Sequence, residues 1–170
     1  EQYLKVDAQL GGIDQRKIMV LARENLPKIG YNARIEIMTP LLPGLIGDKM
    51  SASVEESKID ILDDEENVKK KINKAYCEEG NPNNGIMAFL KYVIMVIKED
   101  NEEKFIVQRD KKFGGNVGYT SYEEIEKDFI AKKLHPQDLK NSVSLEINKL
   151  LSKIDRKKLG KLAEKAYNEF

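Results

Sequence analysis

Leu4, Val6, Ala8 and Leu10 alternate with polar residues, the period of a half-buried strand, and the run ends at Gly11-Gly12. From Asp14 to Ile29 the apolar period becomes that of a helix. Ile18, Leu21, Ala22, Leu26 and Ile29 fall on one stripe, with Gly30 as the stop. Ile35 and Ile37 mark a second short strand. Strand, glycine turn, helix and strand predict a βαβ unit in a parallel sheet, and strand-end turns on such sheets are where ligands bind.

Beyond Pro40 the pattern changes. The stretch from Pro40 to Ser57 carries prolines, glycines and serines and predicts a loop long enough to be functional. Asp64 to Cys77 predicts a lysine-rich helix, broken by Glu78-Glu79-Gly80-Asn81-Pro82-Asn83-Asn84-Gly85. Ile86 to Lys98 is apolar enough for a buried helix. Phe105 to Gln108 and Val117 to Thr120 read as strands flanking the turn Phe113-Gly114-Gly115-Asn116. Ser121 with Glu124 fits a capping box for a helix through Leu134. After His135-Pro136, residues Leu139, Val143, Ile147, Leu150, Leu151 and Ile154 keep helical spacing, and a last helix runs from Lys158 towards Phe170. The expected organisation is an α/β part and a mostly helical part, divided in the loop after Ser53.

Charge narrows the partners. The 29 basic and 29 acidic side chains cancel, so a nucleic acid must be met by a local basic face rather than a global field. Lys111-Lys112, Lys132-Lys133 and Arg156-Lys157-Lys158 are candidates for phosphate contacts, against the plainer reading of a solvated face. A single cysteine, Cys77, excludes an internal disulfide and suits a reducing compartment; a half-buried place at a helix end is expected for it. One Cys and one His make no metal site. No apolar run reaches the ~20 residues of a membrane span, and nothing resembles a signal peptide. The opening Glu1-Gln2-Tyr3 already lies in a patterned segment, which suggests a piece of a longer protein.

Two short motifs carry candidate chemistry. In Gly11-Gly12-Ile13-Asp14-Gln15 the glycines allow close backbone approach and positive φ, an Asp accepts both hydroxyls of a ribose, and a Gln amide donates and accepts. The alternative is an ordinary strand-to-helix turn with Asp14 as N-cap. In Lys49-Met50-Ser51-Ala52-Ser53 a lysine flanked by small hydroxyl residues suits a polyphosphate and neutralises charge as pyrophosphate leaves. A solvated loop is the competing account.

These motifs, in order, carry a resemblance. Val6 to Lys17, Pro43-Gly44-Leu45 before the Lys49 loop, Lys74-Ala75-Tyr76-Cys77, Lys112-Phe113-Gly114-Gly115 and His135 to Asn141 resemble the archaeal/eukaryotic-type tyrosyl-tRNA synthetases of class I. The resemblance implies an α/β fold. Residues 1–57 would be the second half of a Rossmann-like parallel-sheet catalytic domain, and residues 58–170 a mostly helical anticodon-binding domain. It implies tyrosine, ATP with Mg2+ as substrate, and tyrosine tRNA as partners, no prosthetic group, a homodimer, and a cytoplasmic, non-membrane location.

By the same resemblance, Gln15 contacts the tyrosine, while Gly12 and Asp14 lie against the adenosine ribose. Lys49 stabilises the phosphates, with Ser51 and Ser53 supporting the loop. Arg16 approaches the first base pair of the acceptor stem. Phe113 stacks on the first anticodon base, Asp138 bonds its Watson–Crick edge, and His135 is their neighbour. An aromatic platform with an edge-reading carboxylate is the physical requirement for a splayed guanine. The plainer readings are a hairpin-core aromatic for Phe113 and a first-turn acid favoured by the helix dipole for Asp138.

The departures are specific. Ala52 stands where the family more often has serine or lysine, and tryptophanyl relatives often carry that alanine. A tryptophan–tRNA ligase is therefore one alternative, opposed by the tyrosyl-like blocks Asp14 to Lys17 and His135 to Asn141. A non-catalytic tRNA-binding fragment is the other. The histidine-rich ATP motif of class I synthetases is not in this chain, and His135 is in the wrong region to serve. The expectation is that these 170 residues alone do not activate tyrosine.

Overall fold

The computed structural model describes residues 5–47, 50 and 54–167. The chain forms two compact units, Glu1–Leu41 and Leu42–Phe170.

In the first unit, β1 (Ala8–Gly12) pairs in parallel with β2 (Ile35–Thr39), in a register that sets Ala8 against Ile35 and Gly12 against Thr39. The expected βαβ unit is present. Its crossover is not one helix but three pieces: a 3-10 turn Ile13–Gln15, α1 (Arg16–Asn25) and a second 3-10 turn Leu26–Ile29. Pro27 explains the second break, because it has no N–H to continue the α ladder and its ring crowds the preceding turn. Gly30 ends the segment in the left-handed region, φ 86°. The apolar stripe departs from expectation. Ile18, Leu21 and Ile29 are 63%, 62% and 68% exposed, while Met19, off that stripe, is buried.

In the second unit the periodicities close on one core. The elements are α2 (Glu65–Lys74), α3 (Gly85–Phe89), α4 (Met95–Asp100), β3 (Phe105–Val107), β4 (Val117–Tyr119), α5 (Tyr122–Ile130), α6 (Pro136–Leu151) and α7 (Arg156–Tyr167). Asp64, Asn84 and Ser121 cap α2, α3 and α5, each side chain accepting from the backbone N–H three residues on. Between α3 and α4 the chain stays helical but widens into a π turn, Leu90–Ile94, where the Met95 N–H donates to the Leu90 carbonyl. Val68 and Ile72 of α2, Ile125 and Phe129 of α5, and Leu139, Val143 and Ile147 of α6 meet Phe105 and Val107 of the antiparallel β3–β4 hairpin in the core.

Two ionic features sit at its edges. The Lys71 ammonium lies 2.8 Å from Asp63, both side chains nearly buried. The Lys98 ammonium bridges Glu103 at 2.8 Å and Glu146 at 2.9 Å.

The segment from Leu42 packs with the second unit. Leu45 joins its core, its N–H donates to the Ser57 carbonyl at 3.0 Å, and its own carbonyl accepts from the Tyr76 N–H at 2.9 Å. Gly85 is a packing requirement here, since a Cβ would run into the Gly44 backbone. Cys77 is half-buried just past α2, and burial pushes its thiol up to about 11, against the opposing charge of Lys140.

Candidate functional site

The predicted site residues fall in two places. Gly12, Asp14, Gln15 and Arg16 are consecutive or nearly so at the β1–α1 junction of the first unit. Gly11 and Gly12 are not in the left-handed region; Gly12 is extended at φ −69°. What they provide is space. A Cβ on Gly11 would clash with the Met19 methyl, and one on Gly12 with an Asp14 carboxylate oxygen. Asp14 does not cap α1, whose N-cap is Gln15 with no side-chain cap bond. Its carboxylate instead accepts from the Gln15 amide at 3.0 Å. That bond orients the Gln15 side chain and leaves both groups exposed, able to take further hydrogen bonds. Arg16 opens α1 and is exposed. Lys49, Ser51 and Ser53, with Ala52 between them, lie outside the described residues.

The second place is built by the β3–β4 connection and the start of α6. Asp110 folds its loop. Its carboxylate accepts from the Lys112 N–H at 3.0 Å, and its carbonyl from the N–H groups of Phe113 at 2.9 Å and Gly115 at 3.2 Å. Gly114 and Gly115 then take φ 97° and 74°, conformations that a side chain would strain. Phe113 is left 62% exposed, so it is not a hairpin-core residue. The Lys112 ammonium stands 4.9 Å from its ring centroid. An exposed aromatic with a cation beside it can stack on a flat, anion-linked ligand such as a nucleobase.

His135 is the N-cap of α6, its Nδ1 accepting from the Gln137 N–H at 3.1 Å, with Pro136 in the first turn. That bond fixes Nδ1 as the acceptor and leaves Nε2 to donate. Asp138 follows in the same turn, half-exposed, where the helix dipole favours its charge.

Several residues that the sequence reading did not single out hold this place together. The Gln108 N–H donates to the Ser142 hydroxyl at 3.1 Å, and that hydroxyl donates to the Asp138 carbonyl at 2.9 Å, tying the end of β3 to α6. Arg109 donates from Nε to the Gly115 carbonyl at 2.7 Å and from Nη1 to the Lys133 carbonyl at 3.0 Å. The Gln137 amide donates to the Asn73 side chain at 2.9 Å, and Lys140 to the Asn73 carbonyl at 3.0 Å, joining the first turns of α6 to the end of α2. Nearby, the Tyr119 hydroxyl is pushed up to about 12 by burial and by the adjoining Asp128 carboxylate. Only the run of polar residues around His135 could have hinted at these links; the Arg109 bond to Lys133 spans 24 positions.

Known proteins resemble the whole of this arrangement. The family described as tRNA synthetases class I (W and Y) matches residues 1–152. The cytoplasmic tyrosine–tRNA ligase of Danio rerio is 53% identical over 99% of the chain, which covers 32% of that protein. The cytoplasmic enzyme of Saccharomyces cerevisiae is 48% identical over 98% of the chain, which covers 45% of it. Among solved structures, tyrosyl-tRNA synthetase of Archaeoglobus fulgidus complexed with L-tyrosine superposes with a TM-score of 0.82, at 46% identity, over 92% of this chain and 47% of that one. The chain thus spans about a third to a half of the length of the relatives it matches. A match that runs through the β1–α1 junction, the hairpin loop and the His135 turn alike means that this chain belongs to the class I tRNA synthetases of the tryptophanyl and tyrosyl group.

Proposed function

We propose that the protein carrying this chain is a cytoplasmic, homodimeric tyrosine–tRNA ligase. Residues 1–57 would contribute to its tyrosine and ATP site, and residues 58–170 its anticodon-binding surface. The observation that carries this reading is identity near one half to tyrosine–tRNA ligases along almost the entire chain, with both candidate places included. The tryptophan alternative rests on Ala52 alone, and a purely RNA-binding role leaves the Gly12–Gln15 and Lys49 motifs without work.

In this reading the tyrosine carboxylate attacks the α-phosphate of ATP in line, giving tyrosyl-adenylate and pyrophosphate. A terminal ribose hydroxyl of the tRNA then takes the tyrosyl group. The protein supplies position and charge rather than a covalent intermediate. Gln15 orients tyrosine, Gly12 gives the ribose room and Asp14 holds its hydroxyls. Lys49 balances phosphate charge with Ser51 and Ser53 beside it. Arg16 meets the acceptor stem, Phe113 stacks on the first anticodon base and Asp138 accepts from its edge, with His135 alongside. Magnesium would enter with the nucleotide.

The test is ATP–pyrophosphate exchange by the full-length protein with tyrosine or tryptophan, and with Lys49→Ala. Exchange with tyrosine only, lowered about a hundred-fold or more in the variant, is expected, as for loss of a transition-state charge contact. Exchange with tryptophan moves the assignment to the sister group; none with either leaves the RNA-binding reading. The isolated 170-residue chain should give no exchange.

A further inference from the structure

We propose that Arg109 is the positioning residue that presents Phe113 to the anticodon and so sets the preference for the first anticodon base. This rests on the role proposed above for Phe113.

Phe113 has little to orient it except its own backbone. Its ring is exposed, and its described partner is the mobile end of the neighbouring Lys112. The two glycines that follow are the residues least able to hold a turn rigid by themselves. Arg109 supplies what they lack. Its N–H donates to the Asn116 side chain at 3.2 Å, which pins the far end of the loop. Its Nε reaches the Gly115 carbonyl at 2.7 Å, and its Nη1 reaches the Lys133 carbonyl at 3.0 Å. Lys133 lies two residues before His135, the cap of the helix turn that bears Asp138. One planar guanidinium therefore spans the platform side and the edge-reading side of the site. A fixed fork does this where a single ammonium cannot. Gly114 lies beside it in a left-handed conformation, φ 97°, that favours glycine.

The fold has a separate strap between the same two elements, the Gln108–Ser142–Asp138 chain of hydrogen bonds. Loss of the guanidinium should therefore loosen the loop without separating the hairpin from α6.

The experiment measures binding of tyrosine tRNA by the full-length protein, comparing guanine with other bases at the first anticodon position. The variants are Arg109→Gln, Arg109→Lys, Phe113→Ala and the double Arg109→Gln/Phe113→Ala, with tyrosine-dependent pyrophosphate exchange and thermal melting as controls for folding. We expect both Arg109 variants to cut the base preference about ten-fold with exchange intact, as a displaced contact does. The double variant should be no worse than Phe113→Ala alone, since both act through the ring. Full preference in Arg109→Lys would overturn the proposal by showing that charge suffices, and additive losses would overturn it by separating the two residues. If the wild type shows guanine preference and Arg109→Gln keeps it, this inference alone falls. A wild type without any base preference brings down the anticodon reading as well.

Discussion

Ile18, Leu21 and Ile29 in the first unit and Leu139, Val143 and Ile147 in the second repeat at comparable helical spacings. The first three are at least 62% exposed and the second three at most 2%. The difference lies not in the helices but in what faces them. In the second unit, α2, α5, the helix through Leu90 and the β3–β4 hairpin converge on α6. In the first, a two-stranded parallel sheet and one short helix offer little surface to pack against. Periodicity tells which face of a segment is apolar; it does not tell how much of that face is covered.

The sharpest way to break the comparison is truncation of a large side chain in each unit, followed by chemical denaturation. In the isolated 170-residue chain, Phe129→Ala should cost about 3–5 kcal/mol, whereas Leu21→Ala should stay within about 0.5 kcal/mol. A large loss at Leu21 would show that the first unit is covered in solution. Next comes Asp63→Ala, which leaves Lys71 buried without its partner at 2.8 Å and should cost about 3 kcal/mol. A neutral result would mean that Lys71 swings out to water.

The smallest effect depends on pH. Burial tends to raise the Glu146 carboxyl, but the Lys149 and Lys98 hydrogen bonds outweigh it and hold the group below its ordinary 4.5. A lowered folded value gives stability that is present above the ordinary carboxylate range and lost as pH falls through the lowered value. Glu146→Gln should therefore be less stable than the wild type near neutral pH, and the gap should close as pH drops below 4.5. A constant gap across that range would assign the loss to packing instead.

Local chemistry was the legible part. The cap at Ser121, the stop at Gly30, the parallel β1–β2 pairing and the helix after His135-Pro136 all follow from short-range rules. What escaped was settled over longer distances or by single steric facts. Pro27 divided a helix that periodicity alone joins, and the Gly11-Gly12 pair proved to be about space and not about φ. At the candidate site the family resemblance singled out Phe113 and Asp138, and both are accessible, Phe113 exposed and Asp138 half-exposed. The Arg109, Ser142 and Asn73 links were not readable in the sequence, because each joins positions that no pattern of spacing connects.

The π turn at Leu90–Ile94 carries a consequence for chain length rather than for residue choice. It holds one residue more than an α turn, so everything after it is rotated by about 100° relative to an uninterrupted α-helix. Lys98 of α4 meets Glu146 of α6 in that rotated phase. Deleting a single residue here would close the turn into α-helix with Lys98 still facing Glu146, whereas closing it with every residue kept would turn Lys98 away. Substitutions along this stretch can be absorbed one contact at a time; a residue added to it would shift the phase of every downstream position at once.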